Sequence, residues 1–277
     1  MSIITGVPKI DKLTFEQISA YINQQYGINL TSAKLNLVEN RLSKRLKHLK
    51  MDSYAQYADH IFSKGGKNEL NLLCDYLSTN KTYFYRESAH FDFLQSVLDK
   101  AAPFQAYNFW SAACSAGDEV YTLSSLLEEH SKKTPIRYSV LGTDISSRMI
   151  DEAIEGKYAA ARINMLPTHL INNYFEKTED DKNQEWFNAQ PAIRKNIRFQ
   201  QFNLIKDIPA LAMRFDFIFC RNVLIYFKEE TKLKVVNEMI QKLKPGGYLI
   251  LGHCEGMLCR NTDMIQIRPS VFQKPVA

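Results

Sequence analysis

Two hydrophobic rhythms divide the chain near residue 100. Before that point apolar residues recur every three or four positions. In "TSAKLNLVENRLSKRLKHLK" they fall at Leu35, Val38, Leu42, Leu46 and Leu49, one stripe along a helix expected over Thr31–Lys50. "TFEQISAYINQQYGI" opens on Thr14, carries Gln17 three residues on and stops at Gly27, which predicts a helix capped by Thr14. "SYAQYADHIF" and "NELNLLCDYLS" predict two further helices separated by "SKGGKN". From residue 106 short apolar runs take over: "AYNFWSA", "IRYSVLGTD", "NIRFQQFN", "RFDFIFCRN" and "GGYLILGH". Helical stretches "DEVYTLSSLLEEH", "SSRMIDEAIEG" and "EETKLKVVNEMIQKLK" lie among them. Alternating strands and helices predict a parallel sheet covered on both faces, and "DMIQIRPSVFQKP" predicts an antiparallel strand that closes it.

Composition narrows the setting. A chain of 277 residues can build one large domain or two ordinary ones. No apolar run reaches the length of a membrane span, and "MSIITGVPKI" lacks the charged start and apolar core of a signal peptide, so a cytoplasmic protein without membrane insertion is expected. The five cysteines (Cys74, Cys114, Cys220, Cys254 and Cys259) form no CxxC pair, which suits reduced, mostly buried thiols. His253, Cys254 and Cys259 lack a second half-site for zinc, and no metal is expected.

In a doubly wound sheet, ligands sit beyond the carboxyl ends of the strands. Four strand ends here carry polar residues. "SAGDE" offers small residues and a helix N-terminus, with Asp118 and Glu119 as acids. "GTDIS" places Asp144 where a carboxylate can accept from ribose hydroxyls, "FNL" places Asn203 where an amide can read an adenine edge, and "CRNVLIYF" gathers Arg221, Asn222 and Tyr226. Each has a second reading: Asp144 as a helix cap, Asp118 and Glu119 as partners of a helix dipole, Asn203 as a turn residue, Tyr226 as a core aromatic. The turn after the first strand has one glycine, neither the G-x-G-x-x-G of dinucleotide sites nor the phosphate loop GxxxxGK[ST]. A nucleoside without phosphate fits better, and S-adenosylmethionine is one whose sulfonium suits an acidic turn.

The motifs "TNKTYFYRE" (79–87), "WSAACSAGDEVY" (110–121), "GTDIS" (142–146), "FDFIFCRNVLIYF" (215–227) and "LKPGGYLILGHCE" (243–255) resemble the chemotaxis receptor methyltransferase (CheR-type) family. The resemblance implies an all-α N-terminal domain, then a Rossmann-like class I methyltransferase domain with a small inserted antiparallel β-subdomain. Expected bounds are 1–78 for the helical domain, 79–104 for a linker that contributes to the cofactor site, and 105–277 for the methyltransferase domain, with the insert at about 157–200. It further implies that Asn80, Thr82, Arg86, Glu119, Asp144, Asn203, Leu204, Arg221 and Asn222 bind S-adenosylmethionine and its product S-adenosylhomocysteine. Arg86 and Tyr226 would lie nearest the transferred methyl. Ala116, Asp118, Val120 and Cys254 depart from the family's usual Thr, Glu, Pro and Ser.

The implied reaction is methyl transfer to glutamate carboxylates of chemoreceptors. A carboxylate is ionised at neutral pH, so it needs no general base and no metal, only alignment. The alternative is a catalytically weak member acting as a regulatory module. A base methyltransferase is disfavoured because the Asn/Asp-Pro-Pro-Tyr stretch is absent, so no nucleic-acid partner is expected. Lys34, Arg41, Arg45 and His48 line one edge of the second helix, beside an acidic helical bundle as the implied receptor partner, either as docking residues or as a solvated face. The family implies a monomer.

Overall fold

The computed structural model describes residues 8–276; the first seven residues of the stretch read against a signal peptide lie outside it. The described residues form two compact units, one up to Thr79 together with Tyr226–Thr231, the other Asn80–Ile225 with Lys232 onward. Among the described residues no helix is long and apolar enough to cross a membrane.

The first unit is helical: α1 (Lys12–Tyr26), α2 (Leu35–Leu49), α3 (Tyr54–Phe62) and α4 (Lys67–Leu77). The N-cap of α1 is Asp11, not Thr14. The Asp11 carboxylate accepts from the Thr14 N–H at 2.9 Å and the Thr14 hydroxyl at 2.6 Å, so Thr14 is the capped residue. Gly27 ends α1 in the left-handed conformation, φ 75°. The second helix starts at Leu35, because Ser32–Lys34 form a tighter 3-10 turn. It buries Val38, Leu42 and Leu46 at helical spacing, and Ile18, Ile22, Tyr57 and Ile61 are buried in the same unit, each such side chain worth about 1.5–3 kcal/mol of transfer free energy.

The edge of α2 expected to face a partner is largely spent inside this unit. Arg41 Nη1 donates to the carbonyls of Leu77 and Ser78 at 2.8 and 2.7 Å, the end of α4, where helix carbonyls lack donors of their own. Arg45 meets Glu69 with two bonds of 2.8 and 2.6 Å. Lys34 donates to the Asn29 carbonyl at 3.0 Å, with Nζ 5.7 Å from the Tyr226 ring centre. Only His48 of the four is exposed; Lys44, Lys47 and Lys50 are exposed beside it. Spacing alone placed the four on one edge but could not show that α4 covers it.

The second unit is built on a seven-stranded sheet. Its strands are β1 (Ala106–Ala112), β2 (Arg137–Asp144), β6 (Ile197–Gln201), β7 (Phe215–Cys220), β8 (Leu243–Leu251), β9 (Ile265–Arg268) and β10 (Val271–Gln273). A three-stranded antiparallel sheet holds β3 (Lys157–Ala159), β4 (Phe175–Glu179) and β5 (Glu185–Ala189). The large sheet runs β6-β2-β1-β7-β8-β10-β9; its first five strands are parallel, and β10 is antiparallel to both neighbours. The "DMIQIRPSVFQKP" segment thus supplies two strands rather than one. Helices α5 (Ala89–Leu98), α6 (Asp118–Lys133), α7 (Ser147–Glu155) and α11 (Glu229–Lys242) accompany the large sheet, while α8 (Ala160–Ile163), α9 (Thr168–Tyr174) and α10 (Pro191–Arg194) lie between β3 and β6. From β1 the chain winds outward through β2 to β6, then returns to lay β7 on the other side of β1. The switch point therefore lies between β1 and β7, where Ala112 is level with Cys220, and their next residues, Ala113 and Arg221, open the two loops of the site.

The Arg45–Glu69 pair makes a stability prediction for the helical unit. Glu69 is buried and also accepts from the Tyr57 hydroxyl at 3.0 Å. Burial raises its pKa, but the bonds from Arg45 and Tyr57 outweigh burial and leave it below the ordinary glutamate value. A folded pKa below the unfolded one means a contribution present above about pH 4.5 and lost as pH falls through the lower folded value. Glu69→Ala should destabilise this unit by about 3 kcal/mol at neutral pH, since it strands a part-buried guanidinium. Urea melts should show the gap between wild type and variant narrowing in acid; a pH-independent gap would refute the ionic account.

Candidate functional site

The turn after β1 manages with one glycine by alternating conformations. Ala113, Ser115 and Gly117 all have positive φ, at 62°, 49° and 89°. Left-handed non-glycine residues cost of order 1 kcal/mol or more each, so other bonds must hold them. The Cys114 N–H donates to the Thr143 carbonyl at 2.8 Å, the Ser115 N–H to Asp144 Oδ2 at 2.8 Å, and the Ser115 hydroxyl to the Asn80 carbonyl at 3.1 Å. Gly117 is required for a second reason: a Cβ there would lie 3.0 Å from both Ala153 Cβ and the Tyr158 hydroxyl.

Both acids that open α6 are paired. Asp118 is fully buried and takes two bonds, 2.7 and 2.6 Å, from Arg162 of α8. Glu119 accepts from the Ser111 hydroxyl at 2.7 Å and from Arg221 at 2.8 Å. The turn is therefore not the open acidic cradle its sequence suggests. Asp144, 5% exposed at the end of β2, accepts from the N–H of Ser115 through one oxygen and of Ser146 (2.9 Å) through the other. These bonds fix the plane of a carboxylate, a group that accepts through both oxygens. Ser146, not Asp144, caps α7.

Arg221, after β7, is the hub. Its side chain is 3% exposed; one guanidinium nitrogen binds Glu119, and the other binds the Arg86 carbonyl and, at 3.1 Å, Glu87. The guanidinium carbon sits 5.5 Å from the Phe91 ring centre, while Nε, buried, has no hydrogen-bond partner. Asn222, at φ 58°, donates to Glu87 Oε1 at 3.1 Å. Burial raises the Glu87 pKa, but Arg221 and Asn222 bring it below the ordinary value. Next to it, burial and Arg221 push the His90 pKa down to about 4, so this imidazole is neutral at neutral pH.

Glu255, buried, is a residue that sequence reasoning missed as a site member. It accepts the N–H groups of Asn222 (2.8 Å), Gly252 (2.9 Å) and Ile225 (3.2 Å), so one carboxylate holds both ends of the Arg221 loop. Burial raises its pKa, against these bonds. The one sequence signal was an acid just after a long apolar strand.

The remaining expected residues divide. Asn80, Thr82 and Arg86 are half-buried on the segment that leads into α5. Arg86 donates to the Lys81 carbonyl at 3.0 Å and lies 5.5 Å from the Tyr83 ring centre. Asn203 follows β6; its side-chain carbonyl accepts from the Ile205 N–H at 3.0 Å, so that oxygen serves a turn, and Leu204 is buried. The segment holding Asn80, Thr82, Arg86 and Glu87, the strand-end loops of Glu119, Asp144 and Arg221–Asn222, and Asn203 thus all belong to one unit. Tyr226 belongs to the other, where its carbonyl accepts from the Asn29 N–H at 2.7 Å.

A parallel sheet with this strand order, an antiparallel strand next to its edge, and an acid fixed at the end of the strand beside the switch point define a Rossmann-like class I methyltransferase, and the set suits S-adenosylmethionine: hydroxyl acceptors and no phosphate cradle. Residues 80–272 match the model of the CheR methyltransferase SAM binding domain, and residues 13–78 that of the CheR methyltransferase all-alpha domain. The chain belongs to the CheR methyltransferase family and is an S-adenosylmethionine-dependent methyltransferase. It is 35% identical to the chemotaxis protein methyltransferase of Borreliella burgdorferi over 96% of this chain and 95% of that one. It is 33% identical to chemotaxis protein methyltransferase 1 of Pseudomonas aeruginosa, over 94% and 97% of the two chains. It is 30% identical to the Escherichia coli chemotaxis protein methyltransferase, over 87% and 83%.

The Glu255 carboxylate should set the rigidity of the Arg221 loop. Glu255→Gln offers one acceptor oxygen in place of two, so at least one of the three N–H groups loses its partner, at a cost of about 1–3 kcal/mol. Amide hydrogen exchange at Asn222 and Ile225 should accelerate in the variant. Unchanged protection at both amides would show that other contacts hold the loop.

Proposed function

We propose that this chain transfers the methyl group of S-adenosylmethionine to glutamate side-chain carboxylates of chemoreceptor cytoplasmic domains, giving methyl esters, as a cytoplasmic monomer without a nucleic-acid partner. The observation that carries the reading is the buried Arg221 network at the switch point, together with Asp144, whose carboxylate is held by the N–H groups of Ser115 and Ser146. Asp144 would accept the ribose hydroxyls, Asn203 and Leu204 would lie along the adenine, and Asn80, Thr82, Glu119, Arg221 and Asn222 would line the remainder. The cofactor supplies an electrophilic methyl on a sulfonium. Arg86 would orient the incoming carboxylate with its planar fork, and Tyr226 would shape the slot that excludes water. The nucleophile is already ionised, so these residues align rather than deprotonate.

Labelled cofactor incubated with a receptor cytoplasmic fragment should give base-labile methyl esters, whereas labelled nucleic acid or no transfer at all would defeat the reading. Arg86→Ala and Tyr226→Phe should lower turnover more than they lower cofactor affinity. Asp144→Ala should do the reverse, weakening binding by about 1–3 kcal/mol in calorimetry. Wild-type affinity in that variant would remove Asp144 from the ribose.

For receptor docking, the exposed cluster of Lys44, Lys47, His48 and Lys50 replaces the edge that includes Arg41 and Arg45. Exposed charge of this kind steers over distances of about 10 Å and is screened by salt. Lys44→Glu with Lys47→Glu should slow receptor methylation severalfold at low salt and converge with wild type at high salt, with cofactor affinity unchanged. Equal rates at low salt would leave this face an ordinary solvated surface.

A further inference from the structure

We infer that Glu87, His90 and His253 form a binding site for a borderline transition-metal cation of the Zn²⁺ type, distinct from the groups that align the methyl acceptor. His90 Nδ1 lies 3.5 Å and His253 Nε2 4.0 Å from Glu87 Oε2, and the three ligand atoms all fall within 4.8 Å of one another. A tetrahedral ion with bonds of about 2.0–2.1 Å needs its ligand atoms roughly 3.4 Å apart. The Glu87–His90 edge has that spacing already. The His253 side chain is 57% exposed on the loop after β8 and can close the remaining gap by rotation.

A second, independent observation comes from His90. It is 2% exposed, yet neither ring nitrogen has a hydrogen-bond partner. Buried polar atoms in native structures nearly always have partners, so an orphaned imidazole calls for an explanation. A cation on Nδ1 supplies a partner for that nitrogen. The local charge also favours a cation, since Glu87 and Glu119 face the single charge of Arg221. Glu87 can serve both, because each carboxylate oxygen has two lone pairs. Two imidazoles and one carboxylate select zinc, copper or cobalt over magnesium and calcium, which prefer all-oxygen shells. Three protein ligands leave a fourth position to water.

The test uses the untagged full-length chain, titrated with zinc chloride in a calorimeter. One stoichiometric site is expected, with no heat from magnesium chloride, and cobalt(II) should give visible absorption bands of a low-symmetry, nitrogen-ligated ion. His253→Ala, at an exposed position where melting can verify the fold, should weaken zinc binding by at least about tenfold. Cys254→Ser, beside it, should bind as wild type and so excludes the neighbouring thiol as the ligand. No zinc binding by the wild type, wild-type affinity in His253→Ala, or loss of affinity in Cys254→Ser would each overturn the assignment. Methyl transfer itself is not read in this experiment, so the result stands apart from the proposed activity.

Discussion

The buried guanidinium of Arg221 ties together three stretches that are remote along the chain: the Arg86–Glu87 turn, the start of α6 at Glu119, and the loop after β7. Removing a charge from water costs several kcal/mol unless its donors are met, and here two carboxylates and a carbonyl meet the two terminal nitrogens, while Nε stays unpartnered. The arrangement is asymmetric in consequence. Formed, it adds little net stability over an apolar packing of the same volume. Broken at Arg221, it leaves Glu87 and Glu119 facing each other with their shared counter-charge gone, and the two loops at the switch point lose their common anchor.

That anchoring explains why strained backbone can persist here. Tyr85, Glu87, Ala113, Ser115 and Asn222 all adopt left-handed φ without being glycine. Each raises the local energy by of order 1 kcal/mol or more, and they recur in the three segments joined by Arg221. Bonds from outside each segment hold them: Asp144 and Asn80 for Ser115, Glu255 and Glu87 for Asn222. The strain and its restraint bring backbone and side chains to the switch point with little freedom left, as alignment chemistry requires, since no reorganisation then remains for the reaction to drive.

Periodicity made the two kinds of architecture legible, because helix and strand spacing report burial directly. The polar residues at four strand ends were legible for a related reason: a parallel sheet funnels function to its carboxyl edge. What stayed hidden were partnerships across sequence distance. Arg41, Arg45 and Lys34 read as a charged edge because periodicity sees one helix at a time, whereas the α4 carbonyls and Glu69 that absorb two of those charges lie 24 to 37 residues away. Asp11 displaced Thr14 as the cap because a carboxylate three residues upstream accepts from both the amide and the hydroxyl of Thr14. Glu255 escaped notice because its ligands are backbone N–H groups, which carry no sequence signature.

The departures from the family's usual turn acquire a physical sense in these contacts. Asp118 has one methylene fewer than the usual Glu, and its carboxylate, fully buried, is met bidentately by Arg162. Ala116 lacks the usual hydroxyl, but its carbonyl accepts from the Tyr158 hydroxyl at 2.7 Å, and Tyr158 sits on β3 of the small sheet. The small sheet and the helix that follows β3 therefore brace the turn from behind, through one neutral and one charged contact. With Asp118 turned to Arg162 and Glu119 to Arg221, neither acid of the turn is left as an uncompensated charge. The acid best placed for a nucleoside is then Asp144, whose two oxygens are held in place by backbone N–H groups of the turn itself and of the start of α7. A turn with a single glycine can serve as a binding loop because the bracing that elsewhere falls to bare backbone is supplied here by side chains from three directions.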